Sequence, residues 1–163
     1  GILVSHGWEA LQPFAKQADI LFLNEAEATA LWGTTELSMR RQHLQGLGFR
    51  NYIVLKLGAE GAAMLELATG TVTEVPALPL NNLGLNVINT VGCGDVFVGA
   101  FAAYRALGTS IQKSLIMASA AAGLNATRPE TRGSPRRASL EEIEQRSRSL
   151  GFRIQEHKLS THY

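Results

Sequence analysis

The segment Asn89-Thr90-Val91-Gly92-Cys93-Gly94-Asp95-Val96-Phe97-Val98-Gly99 sets two glycines around one small residue and follows them at once with a carboxylate. Glycine adopts left-handed backbone angles and close approaches that other residues resist. The small, apolar residues beyond it read as a helix. The first N–H groups of a helix have no acceptor within it, and the helix dipole favours negative charge there. Such a turn cradles a phosphate, or the charge building on a phosphoryl group in transfer. Asp95 beside it is placed to accept the proton of an attacking hydroxyl. Phosphoryl transfer asks for little beyond positioning, charge stabilisation and such a base. The same residues also fit a plainer reading, a tight turn whose Asp95 caps the helix. The motif is not a complete Gly-x-Gly-x-x-Gly, because Phe97 stands at the third glycine position. No Gly-Lys-Ser or Gly-Lys-Thr of the P-loop type occurs in the chain.

The elements that must hold this turn are legible as alternating strands and helices. Residues 11–17 read as a helix whose start Pro13 weakens. Residues 20–23 are a buried strand ended by Asn24, and 25–32 a helix with Gly33 at its C-cap. Thr34 or Thr35 is an N-cap candidate for a helix over 36–47, stopped by Gly48. Residues 52–55 form a second buried strand. Residues 62–67 and 71–75, around Ala68-Thr69-Gly70, read as a hairpin. A loop over 76–84 contains Pro76 and Pro79, and 85–88 suggest a short strand. Helices follow over 94–107, closed by Gly108, and over 110–125. The run Ala120-Ala121-Ala122-Gly123 suits close packing. A loop over 127–137 leads to a last helix, with Ser139 and Glu142 spaced as a capping box. Leu-Gly-Phe-Arg occurs at 47–50 and 150–153, each time between a helix and a predicted strand. The pattern predicts an α/β fold: a partial doubly wound, mostly parallel sheet flanked by helices, with a β-hairpin.

The 163 residues fit a single domain over 1–163, large enough to bury roughly 70% of the unfolded chain's surface. A net charge of +1 argues against nucleic acid as a partner. Cys93 is the single cysteine, so no internal disulfide forms, as suits a cytoplasmic protein. No apolar run reaches the roughly 20 residues of a membrane span, and the first residues lack a signal peptide's basic start. The chain opens on Gly1, and residues 1–5 read like the end of a buried strand. The expectation is a piece whose N-terminal part is missing. His6, His43, His157 and His162 lie at no metal-ligand spacing, so zinc is not expected. Trp8 and Trp32 read as core or groove fillers.

From residue 89 to 99 the chain resembles the C-terminal signature of the ribokinase-like (PfkB) carbohydrate and nucleoside kinases, Asp-Thr-x-Gly-Ala/Cys-Gly-Asp-x-Phe-x-Gly. Asn24-Glu25-Ala26-Glu27 is similar to that family's Asn-x-x-Glu motif. Lys56-Leu57-Gly58-Ala59-Glu60-Gly61 is similar to its nucleotide loop. Residues 118–128 resemble its Ala-rich helix and Thr-Arg exit. The resemblance runs from about Asp19 to about Glu144. It implies an ATP- and Mg2+-dependent kinase of an alcohol group on a sugar or nucleoside. Asp95 is then the base, and the amides of Gly92, Cys93 and Gly94 form the anion hole. Lys56, Gly58 and Gly61 lie along the nucleotide, and Ser119 neighbours the adenine. Asn24 and Glu27 organise the magnesium region. Arg128, Arg132, Arg136 and Arg137 form a basic loop that either meets ATP phosphates or stays solvated. The family's N-terminal half, which supplies most of the sugar pocket and a dimer-forming lid, has no counterpart here.

Two departures bear on a monovalent cation, which many relatives hold through the aspartate opening the signature. That position is Asn89, so with Val91 it forms at most an uncharged K+ site. Glu130-Thr131 replaces the usual Gly-Ala further on, and Glu130 would restore a charge. Three readings stay open: a sugar or nucleoside kinase, a non-catalytic nucleotide-binding fragment or decayed kinase, and a kinase of vitamin precursors sharing the glycine turn.

Overall fold

In the computed structural model the apolar runs ILFLN and YIVLK form strands β1 (Ile20–Asn24) and β2 (Tyr52–Lys56). They pair in parallel, in register from Ile20 with Tyr52 to Asn24 with Lys56. The structure describes residues 9–10, 12–14, 16–33, 36–46, 49, 51–129 and 135–159, without the side chains of 38–40 and 43. Strand β3 (Ala62–Glu66) runs antiparallel to β2 and leads through a short turn into β4 (Thr71–Val75). Strand β5 (Gln155–Lys158) completes a five-stranded sheet in the order β1-β2-β3-β4-β5. The sheet is therefore mixed. The parallel pair is the β1–β2 unit read from the sequence, and the antiparallel part comes from the hairpin. A tight turn can join only antiparallel neighbours, whereas parallel ones need a long crossover. Here that crossover contains α1 (Glu25–Trp32) and α2 (Leu37–Gly46).

Contacts divide the chain into two compact units. The first takes residues 1–58, 62–74 and 156–163, with most of the sheet, α1 and α2. Its core gathers Leu23, Ala28, Trp32, Leu44, Phe49, Ile53, Leu55, Ala63, Leu65, Leu67 and Val72. Ile53 and Leu55 alternate with Val54, and all three are buried. Burial on both faces explains why β2 reads as an unbroken apolar run rather than an alternation. Helix α2 also grips the hairpin turn. Arg41 donates to the carbonyls of Leu67 and Ala68, both at 3.1 Å, and Gln45 donates to Leu67 at 2.6 Å.

The second unit takes residues 59–61 and 75–155. It contains α3 (Cys93–Ala106), α4 (Ile111–Ala126) and α5 (Arg137–Ser147). Helices α3 and α4 pack along each other. Every residue of α4 from Ser114 to Ala121 is buried, so its small side chains are a packing requirement. Inserting bulk into such a contact costs about 1–3 kcal/mol. Ser110 caps α4, its hydroxyl accepting from the Lys113 N–H at 3.1 Å.

Two local expectations differ from the structure. Residues 85–88 form no strand; Ile88 and Asn89 instead donate to the carbonyl of Ala126 at 2.7 and 3.1 Å. One carbonyl serving two neighbouring amides holds a loop, not a ladder. Helix α5 begins at Arg137 and has no side-chain cap, so Ser139 lies inside its first turn. Thr34, Thr35, Gly48, Glu130, Thr131, Arg132 and Gly133 lie outside the described residues, as do residues 1–8. No helix among the described residues is long and apolar enough to cross a membrane.

Candidate functional site

The glycine turn opens α3. Gly92 is the N-cap with φ 78°, a left-handed conformation that strains any other residue but glycine. Cys93, Gly94 and Asp95 are the first three helical positions. The Cys93 amide reaches the Thr90 carbonyl at 3.3 Å, and the Val96 amide bonds to Gly92 at 2.9 Å. The amides of Gly94 and Asp95 have no acceptor within the helix, so they point out of its positive end. Asp95 is exposed on this first turn, and no side chain caps the helix. The capping role allowed to Asp95 by the sequence is thus not realised. Asn89 shapes the approach: its Oδ1 accepts from the Val91 N–H at 2.9 Å. Val91 itself is 63% exposed.

A second group of glycines in the same unit is held by close approach. Gly61 has φ 103°, and a Cβ there would lie 2.1 Å from the Val75 carbonyl oxygen and 2.6 Å from the carbonyl carbon of Pro76. Ser119 is buried on α4 and donates its hydroxyl to the Pro76 carbonyl at 2.7 Å. A Cβ on Gly123 would come within 2.6 Å of the Leu78 Cβ. Gly61 therefore abuts the backbone of residues 75–77, and α4 meets the same segment through the Ser119 hydroxyl and the Leu78 side chain. The Ser119 hydroxyl is turned inward to that join.

In the first unit, Asn24 and Lys56 end β1 and β2 as register partners. The carboxyl ends of parallel strands are where open α/β sheets bind ligands. Asn24 also caps α1 in a reciprocal box. Its Oδ1 accepts from the Glu27 N–H at 2.7 Å, and Glu27 Oε2 accepts from the Asn24 N–H at 2.9 Å. The helix-capping alternative for Asn24 is thus realised, and Glu27, exposed in part, keeps one carboxylate oxygen outside the box. Gly58 has φ 56° with open space where a Cβ would stand.

Residues 2–137 match the family model described as pfkB family carbohydrate kinase. The chain belongs to that family. A pfkB relative, a cytidine kinase of Thermococcus kodakarensis, is 27% identical over 105 residues, which are 64% of this chain and 36% of that protein. Among solved structures, the Arabidopsis thaliana ribokinase complexed with ribose and ATP is 28% identical with a TM-score of 0.71. The match covers 81% of this chain and 42% of that one. An E. coli protein named provisionally as ribokinase II, in complex with ATP and Mg2+, is 25% identical with a TM-score of 0.71, over 85% and 42% of the two chains. The chain thus spans less than half the length of these pfkB relatives. Its α/β fold is the corresponding part of the ribokinase-like fold.

The pfkB signature read from the sequence draws in residues that the motif does not contain. Asn125, near the end of α4, donates to Cys93 Sγ at 3.5 Å, and that sulfur lies 3.9 Å from the Asn89 carbonyl. Ala126 supplies the carbonyl under Ile88 and Asn89. One signal was present in the sequence: Asn125 is the one polar residue in the small, apolar stretch 120–126 that ends the helix.

Proposed function

We propose that this chain is the nucleotide-binding, base-carrying part of an ATP-dependent kinase that phosphorylates an alcohol group of a sugar or nucleoside. The observation that carries this reading is the left-handed Gly92 turn, which aims first-turn amides outward beside an exposed Asp95. The free first-turn amides of Gly94 and Asp95 receive the charge of the transferring phosphoryl group; the Cys93 amide, grouped with Gly92 and Gly94 by the resemblance, is turned to the Thr90 carbonyl. Asp95 takes the proton of the attacking hydroxyl as the new P–O bond forms and the bond to ADP breaks. Lys56, Gly58 and Gly61 line the nucleotide, and Ser119 acts by holding the loop at Pro76.

Magnesium is the implied ion. Mg2+ keeps several waters and takes one or two carboxylates with substrate phosphates. Glu27, with one oxygen held by the capping box, fits that requirement, and Asn24 holds it in place. When bound, the ion neutralises phosphate charge. A monovalent cation fits less well: Asn89 carries no charge, and its Oδ1 is already engaged with the Val91 N–H. The rate is then the same in sodium, potassium and cation-free buffer.

The test is Asp95→Asn in the full-length kinase. A general base contributes roughly 10²–10⁴-fold, so the expected loss is in that range with nucleotide affinity kept. A loss under about tenfold would remove Asp95 from the role. The second reading, a nucleotide-binding fragment, is favoured for the 163-residue chain by itself, because it spans under half of its relatives. That chain then binds Mg-ATP weakly without appreciable sugar phosphorylation.

A further inference from the structure

The buried end of α4 bears on the glycine turn at two adjacent residues. The carbonyl of Ala126 takes the N–H groups of Ile88 and Asn89, just before the turn. Asn125, 2% exposed, sends its side-chain N–H to the sulfur of Cys93, the first helical residue after the turn. Its other amide atom, Oδ1, is buried with no hydrogen-bond partner among the described residues. Leaving a buried carbonyl unpaired is costly, and an apolar side chain of similar size would fill this space without that cost. What only the amide adds is its bond to the sulfur. That sulfur in turn lies against the carbonyl of Asn89, the residue whose Oδ1 bonds to the Val91 N–H. One path therefore runs from α4 through Asn125 and Cys93 to Asn89, joining residues on either side of Gly92 in the chain.

We propose that Asn125 is a positioning residue for the phosphate-binding turn, acting through the side chain of Cys93. It rests on the reading of this turn as a phosphate site, but concerns a residue outside the signature. Gly92 sits at a left-handed angle between two short segments, and its freedom would let Cys93 and Gly94 swing. Ala126 holds the segment before it, and Asn125 holds the segment after it. Together they set the direction in which the amides of Gly94 and Asp95 point. A sub-ångström error in such donors is felt directly in the stabilisation of phosphoryl charge. In this account the thiol is a contact surface, and no reaction at sulfur is required.

The chain has one cysteine, so a thiol reagent reports on this turn alone. Iodoacetamide alkylation of Cys93 is measured at fixed pH for the wild-type chain, Asn125→Leu and Asn125→Asp, with and without Mg-ATP. Leu keeps the volume, and Asp keeps the shape while removing the N–H. Both variants are expected to alkylate at least threefold faster without nucleotide, at a temperature well below their thermal midpoints, where the protein is still folded. Equal rates in all three chains would overturn the proposal. Mg-ATP is expected to slow alkylation of the wild-type chain. If it does not, the phosphate reading of the turn fails, while the nucleotide-free rates still decide whether Asn125 holds Cys93. A double-mutant cycle of Asn125→Leu with Cys93→Ala, read as Mg-ATP affinity, separates positioning from general destabilisation. Acting through Cys93 requires the double variant to bind about as weakly as the weaker single one. Independent, multiplying losses would point to a structural effect and sink the proposal. If Asn125→Leu fails to fold, the Asp variant carries the same comparison.

Discussion

Asn24 and Lys56 stand side by side as the last residues of the two parallel strands, paired in register. The pairing brings the residue that caps α1 beside the backbone of Lys56. Local sequence separates the two by 32 positions, and only strand register makes them neighbours.

If Lys56 lies along the nucleotide, Lys56→Met should weaken Mg-ATP binding about tenfold, or ~1.4 kcal/mol. The methionine keeps much of the side chain's length without its charge. The thermal midpoint should stay near the wild-type value, since Lys56 ends the strand only partly buried. Calorimetric titration checks the first and thermal melting the second.

Cap and metal roles at the start of α1 separate by substitution. Asn24→Ala removes the side-chain half of the box and should cost about 1 kcal/mol of stability. Glu27→Gln keeps an oxygen that can accept from the Asn24 N–H, so stability should change by less than about 0.5 kcal/mol. The same variant should lose the Mg2+-dependent part of nucleotide affinity. Denaturant melts and ATP titrations with and without Mg2+ give both readings.

Gly58 and Gly61 both have positive φ, but only Gly61 is crowded by backbone. Gly58→Ala should cost roughly 1–2 kcal/mol, the strain of a left-handed residue. Gly61→Ala carries that strain plus a collision with residues 75–77, which cannot rotate away as a side chain would. It should therefore destabilise distinctly more, visible as a lower urea midpoint. Equal effects would show that the join between Gly61 and residues 75–77 is loose.

Glu144 is buried on α5 between Arg148, at 2.8 and 3.0 Å, and Lys113, at 3.0 Å. Burial pushes its carboxyl upward, but the bonds from Arg148 and Lys113 win and hold it below the ordinary 4.5. A lowered folded value means the stabilisation is complete above the unfolded value and is lost as pH falls through the folded one. Glu144→Gln should thus destabilise at pH 7 and flatten the stability curve below about pH 4.5. Its size is held to about 1–2 kcal/mol because Lys113 and Arg148 remain partly in water. Urea midpoints from pH 3 to 7 test it.

The glycine turn, β1, β2, the hairpin, α1 and the two Ala-rich helices were all legible in the sequence. Each depends on neighbours a few positions apart: a left-handed glycine, a cap three residues away, a short apolar run. The cap assigned to Ser139 failed because Arg137 and Ala138 are helical already, and a local pattern cannot weigh the packing that extends a helix. The strand expected at 85–88 failed for a related reason. Its amides found the Ala126 carbonyl, 38 residues beyond Ile88, before any sheet partner.

By itself the sequence determined which residues stand together in one turn of chain: Asp95 after Gly92-Cys93-Gly94, and Asn24 three residues before Glu27. Covalent adjacency and backbone preference suffice for those, because the geometry lies within one turn of chain. Only the tertiary structure decided that Gly61 abuts residues 75–77, that Ser119 faces inward, and that Asn125 supports Cys93. These contacts join residues from 14 to 43 positions apart. They exist because close packing leaves each buried donor one nearby acceptor, and which one it is depends on how the helices and loops come together.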